Sequence, residues 1–186
     1  MLHIPYGDTY FEFPKSKADA ILTSRIDELQ AEGSGLEIVR KAMENPIDSP
    51  RLSELAKGKK NCVIIISDHT RPVPSKDILP NMFDELKEGN PDIDITLLVA
   101  TGFHRPTTDK ELLSKLGEEI MNQVKIVIHD CRDDESNVKI GVLPSGAPCV
   151  IDKLAVEADL LVSEGFIEPH FFAGFSGGRK SVLPGI

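Results

Sequence analysis

The stretch Cys62-Val63-Ile64-Ile65-Ile66, running straight into Ser67-Asp68-His69-Thr70-Arg71-Pro72, decides the fold. Five apolar, mostly β-branched residues without polar alternation are the pattern of a strand buried on both faces of a parallel sheet. The loop that follows carries a carboxylate, an imidazole and a guanidinium. The same succession recurs downstream. Residues 93–100 read as a second strand and lead into Thr101-Gly102-Phe103-His104-Arg105-Pro106. Residues 124–129 read as a third strand and residues 140–143 as a candidate fourth. Residues 160–163 read as another, leading through Glu164-Gly165 to Glu168-Pro169-His170-Phe171-Phe172-Ala173-Gly174-Phe175-Ser176-Gly177-Gly178-Arg179-Lys180-Ser181.

Helical spacing fills the intervals. Residues 35–45 carry Leu36, Ile38, Val39 and Met43, and Pro46 ends them. A second helix starts near Pro74-Ser75 with Ile78, Leu79, Met82, Phe83 and Leu86 on its apolar face. Residues 109–116 read as a third, capped by Thr107 or Thr108, and residues 151–158 as a fourth. Alternating strands and helices give the α/β class, with a mostly parallel Rossmann-like sheet flanked by helices. Residues 2–13 alternate around Gly7-Asp8 and suggest a small N-terminal β-hairpin.

The 186 residues fit a single α/β domain, 1–186. The net charge of −9 argues against a nucleic-acid or anionic membrane surface, while leaving room for a local basic pocket. Residues 1–30 lack a basic-then-apolar signal pattern, and no apolar run approaches the ~18 residues of a membrane span. Cys62, Cys131 and Cys149 are an odd number without CxxC spacing, which suggests buried thiols in a reducing cytoplasm.

Ligands of open α/β sheets bind outside the carboxyl ends of the strands. Parallel strands would bring the three polar loops to one edge. His69, His104 and His170 each lie in one of these loops, and at least two are expected in one site. His3 reads as structural or surface, and His129 as a strand-end residue that could pair with Asp130. Gly174-Phe175-Ser176-Gly177-Gly178 permits the positive φ and close backbone approach of a phosphate nest. The order Gly-Gly-Arg-Lys-Ser matches neither the Walker loop nor the dinucleotide fingerprint. Arg179 or Lys180 could neutralise an anion, and a desolvated Lys180 could act as a nucleophilic amine. Arg71 offers a planar fork for a carboxylate. Asp68 could pair locally or bind a ribose hydroxyl, and Arg105 is a second anion candidate.

The three loop blocks, in this order, resemble the N-terminal domain of the nickel-dependent lactate racemase family, over essentially the whole chain. That resemblance implies a two-domain cytoplasmic enzyme that isomerises 2-hydroxy acids, lactate by default. The cofactor it implies is a nickel pincer nucleotide, a pyridinium mononucleotide joined to a lysine through a thioamide. Carried over by motif, Lys180 is the tether, and His104 and His170 are the paired acid/base residues. Asp68, Ser176, Gly177 and Gly178 belong to the cofactor shell, and Arg71 holds the substrate carboxylate. The implied chemistry is reversible hydride transfer, which avoids a carbanion and passes through a planar 2-keto acid.

The family's nickel-ligating histidine is expected beyond Ile186, so no metal ligand is expected within this chain. The chain is therefore expected to be an N-terminal domain cut short, inactive alone and without cofactor. Its partners would be its own C-terminal domain and the cofactor-synthesis proteins. Two other readings of the same residues stay open. One is a phosphoryl- or acyl-transfer enzyme with His170 as nucleophile or base. The other is a non-catalytic nucleotide-binding module.

Overall fold

The computed structural model describes residues 1–170 and 174–186; Phe171, Phe172 and Ala173 of the third loop block lie outside the described residues. The chain divides into two compact units, Met1–Glu32 and Gly33–Ile186. The first holds β1 (Leu2–Tyr6) and β2 (Thr9–Phe13), an antiparallel hairpin in which Ile4 faces Phe11. Gly7 turns it with φ 57°.

The second unit starts with α1 (Gly35–Glu44) and α2 (Leu52–Ala56). It continues through β3 (Asn61–Ser67), α3 (Ser75–Gly89), β4 (Asp94–Ala100), α4 (Asp109–Gln123) and β5 (Lys125–Ile128). Then come β6 (Asn137–Val142), β7 (Pro148–Asp152), α5 (Lys153–Glu157) and β8 (Leu160–Ser163). The short strands β9 (Pro169–His170) and β10 (Gly174–Phe175) precede a 3₁₀ turn, Gly178–Ser181.

Four strands form a parallel sheet in the order β5-β4-β3-β8. The apolar run of β3 is buried because both of its faces are covered. Cys62, Ile64 and Ile66 pack with Ile95, Leu97 and Val99 of β4 against Leu79, Phe83 and Leu86 of α3 and Leu112 and Leu116 of α4. Val63 and Ile65 point the other way, to Leu98, Ala155 and Ile186. Fully burying one such side chain stabilises by roughly 1.5–3 kcal/mol. The centre of the sheet is therefore a firm base for the loops at its carboxyl edge. The chain steps outward from β3 to β4 to β5 and then returns to the far side of β3. The direction reverses between β3 and β8, where such sheets open a crevice for ligands.

The expected fourth strand differs. β6 pairs antiparallel with β7 in a separate two-stranded sheet. Residues 151–152 belong to β7, so α5 is shorter than the helix expected over 151–158. α4 runs on past Leu116 to Gln123 across a kink at Gly117, whose φ is 78°. Its cap is Thr108, in a reciprocal capping box with Glu111. All three cysteines are free, but only Cys62 is buried; Cys131 and Cys149 are half-buried. Among the described residues no helix is long and apolar enough to cross a membrane.

Candidate functional site

Ser67 and Ala100 are aligned partners at the ends of β3 and β4, so Asp68 and Thr101 leave the sheet side by side. Beyond them opens a cavity of about 450 Å³. Asp68, Arg71, His104 and His170 line it, and so do Ser176, Gly177 and Lys180. The three loops thus meet at one sheet edge, with residues from each facing the same space.

Asp68 is the buried centre of a hydrogen-bond cluster, only 3% exposed. Its Oδ1 accepts from the Thr70 amide at 3.0 Å and from Thr70 Oγ1 at 2.6 Å. Its Oδ2 lies 2.6 Å from His104 Nδ1. Burial alone would raise the pKa of this carboxyl. The bonds from Thr70 and His104 outweigh burial and hold it below the usual carboxylate range. An ionised carboxylate only accepts, so His104 Nδ1 must carry the hydrogen between them. The other ring nitrogen, Nε2, is then left for chemistry. A carboxylate that fixes an imidazole's tautomer in this way also stabilises its protonated form.

Arg71 follows in the same loop. Its Nη1 is 3.3 Å from both the carbonyl oxygen and Oγ1 of Thr70. Among the described residues neither Arg71 nor Lys180 enters an ion pair. Two cations thus face one cavity of an acidic chain, which suits an anionic ligand.

The glycine-rich segment forms another part of the wall. Ser176 is buried, and its Oγ has no hydrogen-bond partner among the described residues. Its amide donates to Glu168 O at 2.9 Å. Gly177 has φ 74°, and a Cβ there would sit 2.7 Å from Phe166 O, so only glycine fits. Lys180 is half-buried, and its amide donates to Gly177 O at 3.2 Å. Gly178 is exposed and does not line the cavity.

The remaining expected candidates lie elsewhere. His69 Nδ1 is 3.1 Å from Thr107 Oγ1, and the ring lines a separate depression with Glu111, Ser114 and Lys115. Arg105 is engaged with Glu111 through two bonds of 2.9 and 2.5 Å. The Arg105 bond first, then those from Thr108, holds the Glu111 carboxyl far below its ordinary range. His129 pairs with Asp152 at 3.0 Å, not with Asp130, and its carbonyl accepts from Thr101 Oγ1. His3 is on the hairpin, 3.8 Å from Glu12. Among the described residues no three or more His, Cys, Asp or Glu side chains are grouped to hold a metal.

Thr70, which links Asp68, His104 and Arg71, was not singled out by sequence reasoning. Its place inside the Ser67–Pro72 loop was the only available signal.

The family description "Lactate racemase N-terminal domain" matches residues 6–186. The chain belongs to the lactate racemase N-terminal domain family. It is 53% identical to a lactate racemase of Thermoanaerobacterium thermosaccharolyticum over 187 residues, covering all of this chain and 44% of that protein. It is 63% identical to a lactate racemase of Lactiplantibacillus plantarum over 150 residues, covering 81% of this chain and 35% of the relative. The chain therefore spans less than half the length of these relatives. Its structure resembles that of the lactate racemase apoprotein of T. thermosaccharolyticum, with a TM-score of 0.87 over 99% of this chain and 43% of the other. A Thermotoga maritima protein at 24% identity shares the fold, with a TM-score of 0.62.

Proposed function

We propose that this chain forms one wall of the active site of a 2-hydroxy acid racemase, with lactate as the default substrate. The observation that carries this reading is the meeting of His104, His170, Arg71 and Lys180 in one cavity. The chain would be the N-terminal domain of a two-domain cytoplasmic enzyme. Its C-terminal domain would complete the site, including a nickel ligand beyond Ile186.

The residues present fit the nickel pincer nucleotide that the family resemblance implies. The buried Ser176 hydroxyl and the crowded turn at Gly177 would receive an anionic group such as the cofactor phosphate. Lys180, on the same wall, would tether the group after loading by dedicated synthesis proteins. When bound, that group supplies reversible hydride acceptance from the substrate carbon.

The chain's own residues supply the rest. Arg71 grips the substrate carboxylate with its guanidinium. His104 takes the hydroxyl proton of one enantiomer at Nε2 as the carbon is oxidised to the keto state, and Asp68 stabilises the imidazolium. His170 serves the hydroxyl of the other enantiomer, which points differently. Return of a proton from the opposite histidine accompanies reduction on the other face and inverts the centre.

The test uses the whole protein, made with its cofactor-loading partners. His104→Ala and His170→Ala should each lower kcat by about 10²–10⁴-fold. A double variant that racemises at the unsubstituted rate would refute the proposal.

A further inference from the structure

The loop that presents Arg71 is pinned at three points. Near its start, Asp68 Oδ1 binds the Thr70 amide and closes a turn. At its end, Ser75, the first residue of α3, donates through Oγ to Glu164 Oε1 at 2.6 Å. Glu164 directly follows β8, and its own amide extends the β3–β8 pairing by donating to Ile65 O. Between these anchors Lys115 reaches across from α4 and donates to the Arg71 carbonyl oxygen at 3.1 Å.

Lys115 is half-buried, and Glu164 is one of the deeply buried carboxylates of this chain. Glu164 is only 4% exposed, and its Oε2 has no hydrogen-bond partner among the described residues. Burial pushes its pKa up, against the Ser75 bond and the nearby charge of Lys115. Burial pushes the Lys115 amine down, against the charges of Glu164 and Asp68. A lysine can normally reach solvent along its flexible stem. Here the half-buried side chain is directed at a main-chain oxygen instead. That oxygen belongs to Arg71, a cavity-lining cation that enters no ion pair among the described residues.

We propose that Lys115 is a positioning residue for Arg71, and that its bond to the Arg71 carbonyl sets the backbone from which the guanidinium reaches the substrate carboxylate. The proposal rests on the reading of Arg71 as carboxylate anchor. A displaced anchor weakens ground and transition states alike, so the loss belongs in KM and not in kcat.

The experiment compares Lys115→Met, Lys115→Arg and Lys115→Gln in the whole protein. Lys115→Met should raise KM about tenfold, with kcat within about threefold. Lys115→Arg keeps a charged donor and should return KM to within about threefold of the unsubstituted enzyme. In unloaded whole protein, hydrogen exchange in the peptide around Arg71 should quicken in Lys115→Met and stay unchanged over β3 and β4.

If Lys115→Met is not recovered folded, Lys115→Gln carries the test. It shortens the side chain and removes its charge while staying polar, so KM should rise about threefold. An unchanged KM in the variant tested, or a fall in kcat alone, overturns the inference. An unsubstituted enzyme without racemase activity would instead count against the proposed function. The exchange measurement would still judge the Lys115–Arg71 link.

Discussion

Replacing Asp68 by Asn changes one atom's chemistry at nearly constant volume. The amide oxygen can still accept from Thr70, whose two bonds to Oδ1 measure 3.0 and 2.6 Å. The NH₂ then faces His104 Nδ1, where the carboxylate oxygen stood 2.6 Å away. A donor there requires Nδ1 to accept, which moves the ring hydrogen to Nε2. Nε2 then cannot take the hydroxyl proton, and no carboxylate remains to stabilise an imidazolium. Loss of acid–base catalysis by one residue costs about 10²–10⁴-fold in kcat.

The stability cost is small by comparison. The lost bond is charge-assisted, but the His104 side chain is 49% exposed, so about 0.5–1.5 kcal/mol is expected after screening. The equilibrium constant between enantiomers is unity, so kcat/KM should fall equally in both directions. The assay is racemisation of lactate by the loaded whole protein in each direction, with ¹⁵N NMR of the His104 ring to read the tautomer. A variant with unsubstituted kcat and an unshifted tautomer would refute the reasoning.

Three further outcomes follow from the same structure. Gly177→Ala should cost about 1–3 kcal/mol, from a strained φ of 74° and a Cβ 2.7 Å from Phe166 O. Gly178→Ala, with φ 55° and open space around it, should cost only about 1 kcal/mol; thermal melts of both variants that show equal losses would contradict this. The folded pKa of Asp68 is depressed, so its contribution is present above about pH 4 and fades as pH falls through the folded value. The stability gap between the unsubstituted chain and Asp68→Asn should therefore hold down to about pH 4 and narrow below it in urea titrations, and a gap that stays constant below about pH 4 would be inconsistent with a depressed pKa. Burial pushes the Cys62 thiol up to about 12, while Cys131 and Cys149 are half-buried. A thiol reagent should label the latter two in the native chain and Cys62 only after unfolding; equal rates at all three would count against the buried placement.

The parallel core was legible because its chemistry is local. A strand covered on both faces is apolar at nearly every position; residues 62–66 are apolar throughout, and residues 95–99 at every position but Thr96. Residues 140–143 do fall largely in a strand, β6, but a short apolar run does not reveal its partner, here the antiparallel β7. The helix expected over residues 109–116 extends further, because Gly117 only kinks it before it resumes. At the site, sequence position indicated which loops reach the sheet edge. It could not indicate that, within two neighbouring loops, His104 turns into the cavity while His69 turns to Thr107. Nor could it reveal the Asp68–His104 bond, which joins residues 36 apart. Lys115 carried no signal at all, since a lysine on a helix normally reads as a solvated face.

The central claim is that this sheet edge is the cofactor wall of a racemase, with Lys180 as the covalent anchor. Peptide mass mapping of active whole protein, produced with its cofactor-making partners, tests it most directly. The account expects a mass adduct on the peptide containing Lys180, absent in Lys180→Ala together with racemase activity. An active enzyme whose Lys180 is unmodified would contradict it.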